Sequence, residues 1–206
     1  MGSTPALDLG ALFPEPSMFD SRDHWRQAGF DVIDREGSRE IMVASHWTAP
    51  AYMFKKFTNK VRSKDQLKNY RLRVDGAAAI RKLIAKHDLR RVVVPQKWIV
   101  ELADFSSPHL LIVEKLDLLS RHDTRAAYKD VDEATLRDLC VVVHAFRGLD
   151  SGARNLPITR DGRIAFVDTE RWKDDTDRAS LKHVRTYLTA KQRDLAKKIF
   201  KKLKSR

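Results

Sequence analysis

Three side chains in the last third of the sequence have the types and the spacing that phosphoryl transfer from ATP requires. Asp150 and Asn155 are five residues apart, and Asp168 follows Asn155 by thirteen residues. A carboxylate can accept the proton of an attacking hydroxyl group, and carboxylate and amide oxygens hold Mg²⁺ together with substrate phosphates. We therefore interpret Asp150 as a candidate catalytic base, and Asn155 and Asp168 as candidate metal ligands.

A turn signal lies between the two candidate metal ligands. The dipeptide Asp161-Gly162 is flanked by apolar residues, a pattern that favours a tight hairpin turn. The apolar run 163–167 predicts a strand that ends directly before Asp168, where a carboxylate is better placed for a metal than for packing. The alternative interpretation of these residues is an ordinary turn, a polar loop and the end of a buried strand.

The remaining periodicity predicts strands in the first half of the chain and mainly helices in the second. Asp130 or Asp132 can cap the helix at 132–146, which would carry the chain toward Asp150. This order predicts an α+β fold. Strands are expected at residues 31–34, 39–44, 51–57, 91–94, 97–100 and 109–114, and helices at residues 20–30, 74–87, 132–146, 179–188 and 190–204.

These elements and side chains together resemble the protein-kinase-like superfamily. The resemblance covers about residues 30–170, from the strand that contains Lys55 to Asp168. The small size is similar to that of the minimal kinases that bacterial pathogens secrete into host cells. The resemblance implies a bilobal α+β fold, with a small β-rich N-lobe that contains one main helix and a reduced helical C-lobe. It also implies ATP as a cofactor, with Mg²⁺ or Mn²⁺.

The same resemblance implies nucleotide-binding roles in the N-lobe. Lys55 resembles the lysine of the family's Val-Ala-Ile-Lys strand, which holds the α- and β-phosphates. Lys56 is the alternative, because alternation along a strand does not say which of the two faces inward, and either could be a solvated edge-strand residue. Backbone groups of Glu114 and Leu116 would hydrogen-bond an adenine ring at the hinge, with Val113 beside its pocket.

The chain departs from the family pattern where the family covers the phosphates and regulates the site. No Gly-x-Gly-x-x-Gly precedes Lys55. The helix at 74–87 contains no Glu, which leaves Asp75 as the nearby acid for that lysine. Asp-Thr-Glu at residues 168–170 stands where the family has Asp-Phe-Gly.

The function that we predict is that of a minimal ATP-dependent protein kinase, with Ser or Thr favoured over Tyr. A bacterial effector that phosphorylates a host protein is the setting that the resemblance implies. One alternative is a pseudokinase that serves as a protein-binding module. The other is an ATP-using transferase with different chemistry, such as phosphorylation of a small molecule or transfer of AMP.

Domain boundaries and cysteine usage complete the expectation. Residues 1–29 are predicted to form an N-terminal arm, 30–116 the N-lobe with the hinge, and 117–206 the C-lobe. The single cysteine, Cys140, excludes a disulfide framework and a Cys-based zinc site. It suits a reducing compartment, so we expect the protein in the cytoplasm, or in the host cytosol for a secreted effector. We also expect the protein to be a monomer. No apolar run reaches the roughly 20 residues needed to span a bilayer.

Basic residues are concentrated in two stretches of this chain of 206 residues, whose formal net charge is +12. One stretch is 55–73, and the other is the last sixteen residues, which contain eight Lys or Arg against one acid, Asp194. Apolar residues at 195, 199 and 203 make that segment an amphipathic basic helix. The favoured interpretation is a docking helix with a solvated outer face. The alternatives are a surface for an acidic protein, for anionic lipid or for nucleic acid.

Overall fold

The computed structural model describes residues 5, 7–13, 21–33, 41–58, 62–102, 108–152, 154–174, 181 and 184–205. Single 3₁₀ turns lie at Tyr128–Asp130 and Val184–Thr186. In chain order the helices and strands are α1 (Leu9–Leu12), α2 (Arg22–Gln27), β1 (Phe30–Val32), β2 (Ile41–His46), β3 (Tyr52–Phe57), α3 (Ser63–His87), β4 (Val92–Val93), β5 (Lys97–Glu101), β6 (His109–Glu114), α4 (Arg121–Ala127), α5 (Glu133–Ala145), β7 (Ile164–Ala165) and α6 (Ala190–Lys204).

The chain divides into two compact units, each made of two stretches of sequence. The first unit comprises Met1–Val74 and Gln96–Lys115, and the second comprises Asp75–Pro95 and Leu116–Arg206. The second half of α3 therefore belongs to the second unit, whereas the predicted boundaries placed it in the N-lobe. The reason is packing, because Ala77 and Ile80 are fully buried in the main core of the second unit.

The first unit is built on an antiparallel sheet in the order β1-β2-β3-β6-β5. Residues opposite each other on paired strands share a face of the sheet, and successive residues alternate between faces. Phe54 pairs with Ala44 and Ile112 on one face. Met53 pairs with Val113 on the other face. Both faces are covered, so both carry apolar side chains.

The described N-terminal residues form part of the first unit's core and are not a separate arm. Phe13 and Trp25 are buried in the same cluster as Phe30 and Phe54. The rings of Phe13 and Phe30 stack with centroids 4.9 Å apart. These aromatic side chains cover one face of the sheet, which is why α1 and α2 pack with the unit rather than apart from it.

The first half of α3 covers the opposite face of the sheet, and the helix is longer than the predicted 74–87. Tyr70 is fully buried in a cluster with Phe57 and Leu111, and Val74 packs against them. The N–H of Phe57 donates to the hydroxyl of Tyr70 at 2.8 Å. Burial raises the pKa of the Tyr70 hydroxyl well above its ordinary value. Apolar residues are sparse among the charged residues before Val74, so the hydrophobic periodicity of the sequence did not indicate this part of the helix.

The second unit is mainly helical, with α5 and α6 running in the same direction. The carboxylate of Asp132 accepts the N–H of Thr135 at 2.7 Å, so Asp132 rather than Asp130 caps α5. Gln192 at the start of α6 donates to the carbonyl of Val131, just before α5, at 2.9 Å. Near the other ends, the ring of Phe200 lies 6.5 Å from that of His144. The helices predicted at 132–146 and 190–204 are therefore confirmed.

The strands of the second unit are shorter than predicted. β7 contains two residues instead of the expected 163–167, and it pairs in parallel with β4, which replaces the expected 91–94. In the described part of the chain, β4 and β7 pair as strands with each other alone, and the ladder between them contains two residue pairs. Of the helix predicted at 179–188, residues 179, 180, 182 and 183 lie outside the described residues, and 184–186 form a 3₁₀ turn.

The predicted fold class is confirmed. A β-rich unit that contains one main helix precedes a reduced helical unit, which is a small kinase-like α+β fold. The described residues include no helix with both the length and the apolar character that crossing a membrane requires.

The side chain of Gln192, at the start of α6, makes several hydrogen bonds to the backbone of the second unit. Its side-chain nitrogen donates to the carbonyls of Tyr128, Lys129 and Val131 at 2.9–3.2 Å. We expect Gln192→Ala to lower the free energy of unfolding by about 2–3 kcal/mol, because buried carbonyls lose their donor. Urea denaturation followed by circular dichroism measures this. Lys191→Ala, at an exposed neighbour, is the control and should change it by less than about 0.5 kcal/mol. Equal effects would contradict the assignment.

Candidate active site

The loop after α5 holds Asp150 in a defined position. Leu149 is buried in the core of the second unit and anchors the loop. One carboxylate oxygen of Asp150, Oδ1, accepts the N–H of Gly152 at 2.9 Å. The other, Oδ2, lies 3.9 Å from a guanidinium nitrogen of Arg154. The side chain is 37% exposed, so a hydroxyl group from a second molecule can reach it.

Asn155 is joined to this loop on one side and to the segment before Asp168 on the other. Its N–H donates to the carbonyl of Gly152 at 2.8 Å, and its own carbonyl accepts the N–H of Val167 at 3.2 Å. The Asn155 side chain is buried. Because Val167 precedes Asp168 directly, the structure brings Asp150, Asn155 and Asp168 into one hydrogen-bonded region, as the sequence spacing predicts.

The predicted hairpin turn returns the chain to Asn155. Ile158 and Ile164 form an antiparallel bridge, and Gly162 has a φ of +85°, a conformation that glycine adopts without strain. Asp161 accepts hydrogen bonds from the Thr159 hydroxyl and, at 2.9 Å, from Arg163 Nε. Hydrogen bonds from Arg163 and Thr159 lower the pKa of Asp161 to about 2, so this carboxylate remains an ionised hydrogen-bond acceptor well into the acidic range.

The segment that follows Asp168 is held where two glycines face it. A Cβ atom on Gly148 would overlap the carbonyl oxygen of Arg171 and lie 2.5 Å from the Asp174 Cβ. A Cβ atom on Gly76, in α3, would overlap the carbonyl oxygen of Thr169 and lie 2.6 Å from Trp172 Cδ1. Thr169 is fully buried. Sequence reasoning missed both glycines, since a close tertiary approach leaves no local signal.

The side chain of Asp168 is itself positioned by the turn that follows it. Its Oδ1 atom accepts the N–H of Glu170 at 3.3 Å. Trp172 packs edge to face on Phe146, with ring centroids 6.0 Å apart, and thereby ties the segment to the end of α5. The Asp-Thr-Glu sequence is therefore anchored by Thr169 and Trp172, in place of the Phe that the family resemblance would supply.

The donor atoms fit a hard divalent cation that is shared with a nucleotide. In the part of the chain that the structure describes, no cluster of three or more His, Cys, Asp or Glu side chains could hold a metal. The candidate ligands here are one amide and one carboxylate, Asn155 and Asp168. Mg²⁺ commonly takes one or two carboxylates and completes its coordination with phosphate oxygens and water, so this donor set suits a metal–nucleotide complex.

The two adjacent lysines of β3 lie on opposite faces of the first unit's sheet. Lys55 pairs with Leu111, which packs with Tyr70 of α3, so Lys55 lies on the face that α3 covers. Lys56 pairs with Met42 and is 1% exposed on the other face, among the core residues that α1 and α2 cover. The strand register therefore distinguishes Lys55 from Lys56, which the alternation of residues along the strand could not do.

A further lysine on the α3 face was not singled out from the sequence. Lys97, the first residue of β5, pairs with Val113 and is 4% exposed. Met53 is opposite Val113 on the other side, so Lys97 shares its face with Lys55. The available signal was a cation at the start of an otherwise apolar strand. Asp75, the acid that the sequence offered to Lys55, is exposed and belongs to the second unit.

The residues predicted to bind adenine lie at the end of β6. The N–H of Glu114 donates to the Gln96 carbonyl at 2.9 Å. In return, the N–H of Gln96 donates to the side-chain Oε2 of Glu114, also at 2.9 Å, and not to its carbonyl. Val113 is buried on the α3 face, whereas Leu116 begins the second stretch of the second unit.

The likeness of this chain to known proteins is structural. No protein-family model matches the sequence, and no curated protein matches it. Among solved structures the chain is similar to a MAP kinase, LmaMPK10 from Leishmania major, with 13% identity and a TM-score of 0.34. The match covers 71% of this chain and 48% of that kinase, so the chain spans about half of its length. At this low similarity, the assignment of the kinase-like fold rests on the element order and the strand pairing and not on the match.

The two close glycine contacts can be tested by adding a single methyl group. We expect Gly148→Ala and Gly76→Ala each to lower the free energy of unfolding by about 2–3 kcal/mol, because backbone atoms of residues 169–174 must move. Gly10→Ala is the control, since a Cβ atom there would meet Asp8 Oδ1 at an ordinary 3.5 Å. Urea denaturation compares the three variants. A Gly148→Ala protein as stable as the control would contradict the close approach.

Proposed function

We propose that the protein is a minimal ATP-dependent phosphotransferase that acts as a protein kinase. The observation that carries the proposal is a run of three hydrogen bonds. Gly152 N–H bonds to Asp150, Asn155 N–H bonds to Gly152, and Val167 N–H bonds to Asn155. This run holds the candidate base and the two candidate oxygen ligands in one region of the second unit. A base and metal ligands are the parts that kinase-type phosphoryl transfer requires of the protein.

In the proposed reaction Asp150 accepts the proton of the acceptor hydroxyl. The hydroxyl oxygen bonds to the γ-phosphorus of ATP as the bond to the bridging oxygen breaks, and ADP leaves. Mg²⁺ or Mn²⁺, when bound, neutralises the charge on the phosphates. Asn155 and Asp168 hold that ion through their side-chain oxygens, and the turn at Glu170 keeps the Asp168 carboxylate oriented.

For the nucleotide we propose Lys55 as the phosphate anchor and adenine contacts from the end of β6 and the residues that follow it. Lys55 holds the α- and β-phosphates, and its position on the α3 face with Val113 favours it over Lys56. The Glu114 carbonyl and the Leu116 N–H bind the edge of adenine. The carboxylate of Glu114 supports this role, because it takes the Gln96 N–H that the carbonyl would otherwise accept in the ladder.

The acceptor that we propose is a Ser or Thr hydroxyl of a protein, and the setting is that of a bacterial effector in the host cytosol. The resemblance to minimal secreted kinases supports the setting. The net charge of +12 favours an acidic protein surface as the partner. We propose a cytoplasmic monomer; the single cysteine supports the reducing compartment.

The test is label transfer from ATP by the purified protein, with Mg²⁺ or Mn²⁺ and a eukaryotic lysate as acceptor. We expect transfer from γ-labelled ATP, reduced 10²–10⁴-fold by Asp150→Asn and by Asp168→Asn. Asp117→Asn is the matched control at an exposed aspartate of the same unit and should keep the wild-type rate. Lys55→Met should weaken ATP binding at least tenfold, whereas Lys56→Met should leave it within about twofold.

The other functions give different results in the same assay. Transfer from α-labelled ATP would show AMP transfer and contradict the kinase. Nucleotide binding with no transfer to protein would identify a pseudokinase or a small-molecule enzyme. Absence of nucleotide binding, with all variants folded by circular dichroism, would overturn the proposed site.

A further inference from the structure

The outer face of α6 carries six exposed lysines and one exposed acid, Asp194. The inner face packs against the core of the second unit through Leu195, Ala196, Ile199, Phe200 and Leu203. Docking thus accounts for the apolar stripe, and it leaves the basic face unexplained. The exposed basic residues of the helix form the lysine face, which consists of Lys191, Lys197, Lys198, Lys201, Lys202 and Lys204.

Local helix stability explains only part of the lysine face, since the helix dipole favours Lys201, Lys202 and Lys204 in the last turn. The first turn of α6 contains Lys191 and Arg193 and no acid, although the positive end of a helix dipole favours acids there. Further along, like charges stand four residues apart at Lys197 and Lys201 and at Lys198 and Lys202, a spacing that is unfavourable. An anionic partner that neutralises these charges would remove the repulsion.

Neighbouring groups offset this charge very little and add to it at one end. Asp194 is the one acid of α6, and its carboxylate is already paired with Lys197 at 3.1 Å. At the C-terminal end, desolvation and the nearby charges of Arg147 and Lys204 lower the pKa of His144. Arg147 is exposed, so it extends the positive surface from α6 onto the loop after α5.

The side chains of the lysine face favour a flat anionic surface. Asn and Gln, which pair with adenine edges in a major groove, are absent from the exposed side chains of α6. Its single aromatic residue, Phe200, faces the core, so it offers no stacking platform for single-stranded bases. Lysine head groups near an anionic leaflet are attracted without any apolar insertion.

We propose that the lysine face docks the protein on an anionic lipid bilayer. The contact is electrostatic and peripheral, because the apolar stripe of α6 is already used in the core. It therefore weakens steeply with salt, since charge attraction is screened within about 8–10 Å at physiological ionic strength. It needs neither nucleotide nor catalysis, so it stands independently of the proposed function.

The test is co-sedimentation of the full chain with vesicles of phosphatidylcholine alone or with 30 mol% phosphatidylserine. We expect binding at least tenfold tighter to the anionic vesicles at 50 mM NaCl, and its loss at 300 mM NaCl. Replacing Lys198, Lys201, Lys202 and Lys204 together by Gln should abolish it. The matched control replaces four exposed lysines of α3 by Gln, with the same change in net charge, and should keep more than half of the binding. The α3 lysines replaced in the control are Lys64, Lys68, Lys82 and Lys86.

Three outcomes would overturn the proposal. The first is equal binding to both kinds of vesicle or to neither. The second is an equal loss in both fourfold variants, which would show an effect of net charge alone. The third is tighter binding to duplex DNA or RNA than to anionic vesicles at the same salt, with the same dependence on the α6 lysines. Circular dichroism verifies that both variants are folded.

Discussion

The contact on which the candidate site depends is a backbone approach with no room for a methyl group. The segment 169–174 passes Gly148 on one side and Gly76 of α3 on the other, at distances that exclude a Cβ atom. The approach fixes the chain directly after Asp168, while Val167 directly before it is bonded to Asn155. Backbone contacts therefore hold the chain on both sides of the Asp168 carboxylate.

The elements that the sequence predicted well are those whose signals are local. α5 and α6 combine an N-cap side chain with helical apolar spacing, and their bounds differ from the prediction by at most one residue. β6 was also predicted to the residue. The first half of α3 was missed, because it is stabilised by the packing of Tyr70 on Phe57, a tertiary contact that has no local sequence signal. The length of strand β7 was overestimated, since an apolar run does not indicate how many strands will pair with it.

The candidate site also combines features with local sequence signals and features that depend on tertiary packing. The Asp161-Gly162 turn is a local signal, and it correctly placed Asp168 near Asn155. The choice between Lys55 and Lys56 required the strand register, because both faces of the sheet are buried and alternation of apolar residues is lost. Cations and close glycine contacts that depend on tertiary packing, such as Lys97 and Gly148, carry no pattern that a single sequence can display.

The most direct measurement of the central claim uses the asparagine side chains, of which the chain has three, at positions 59, 69 and 155. With ¹⁵N-labelled asparagine, NMR spectra resolve their side-chain amide signals one by one. In the presence of a non-hydrolysable ATP analogue, substoichiometric Mn²⁺ should broaden the Asn155 signal and spare the other two, because a paramagnetic ion bound by Asn155 and Asp168 lies beside that amide. Asp168→Asn should remove the selective broadening. Equal broadening of all three signals, or none at Asn155, would contradict the assignment of this loop as a metal–nucleotide site.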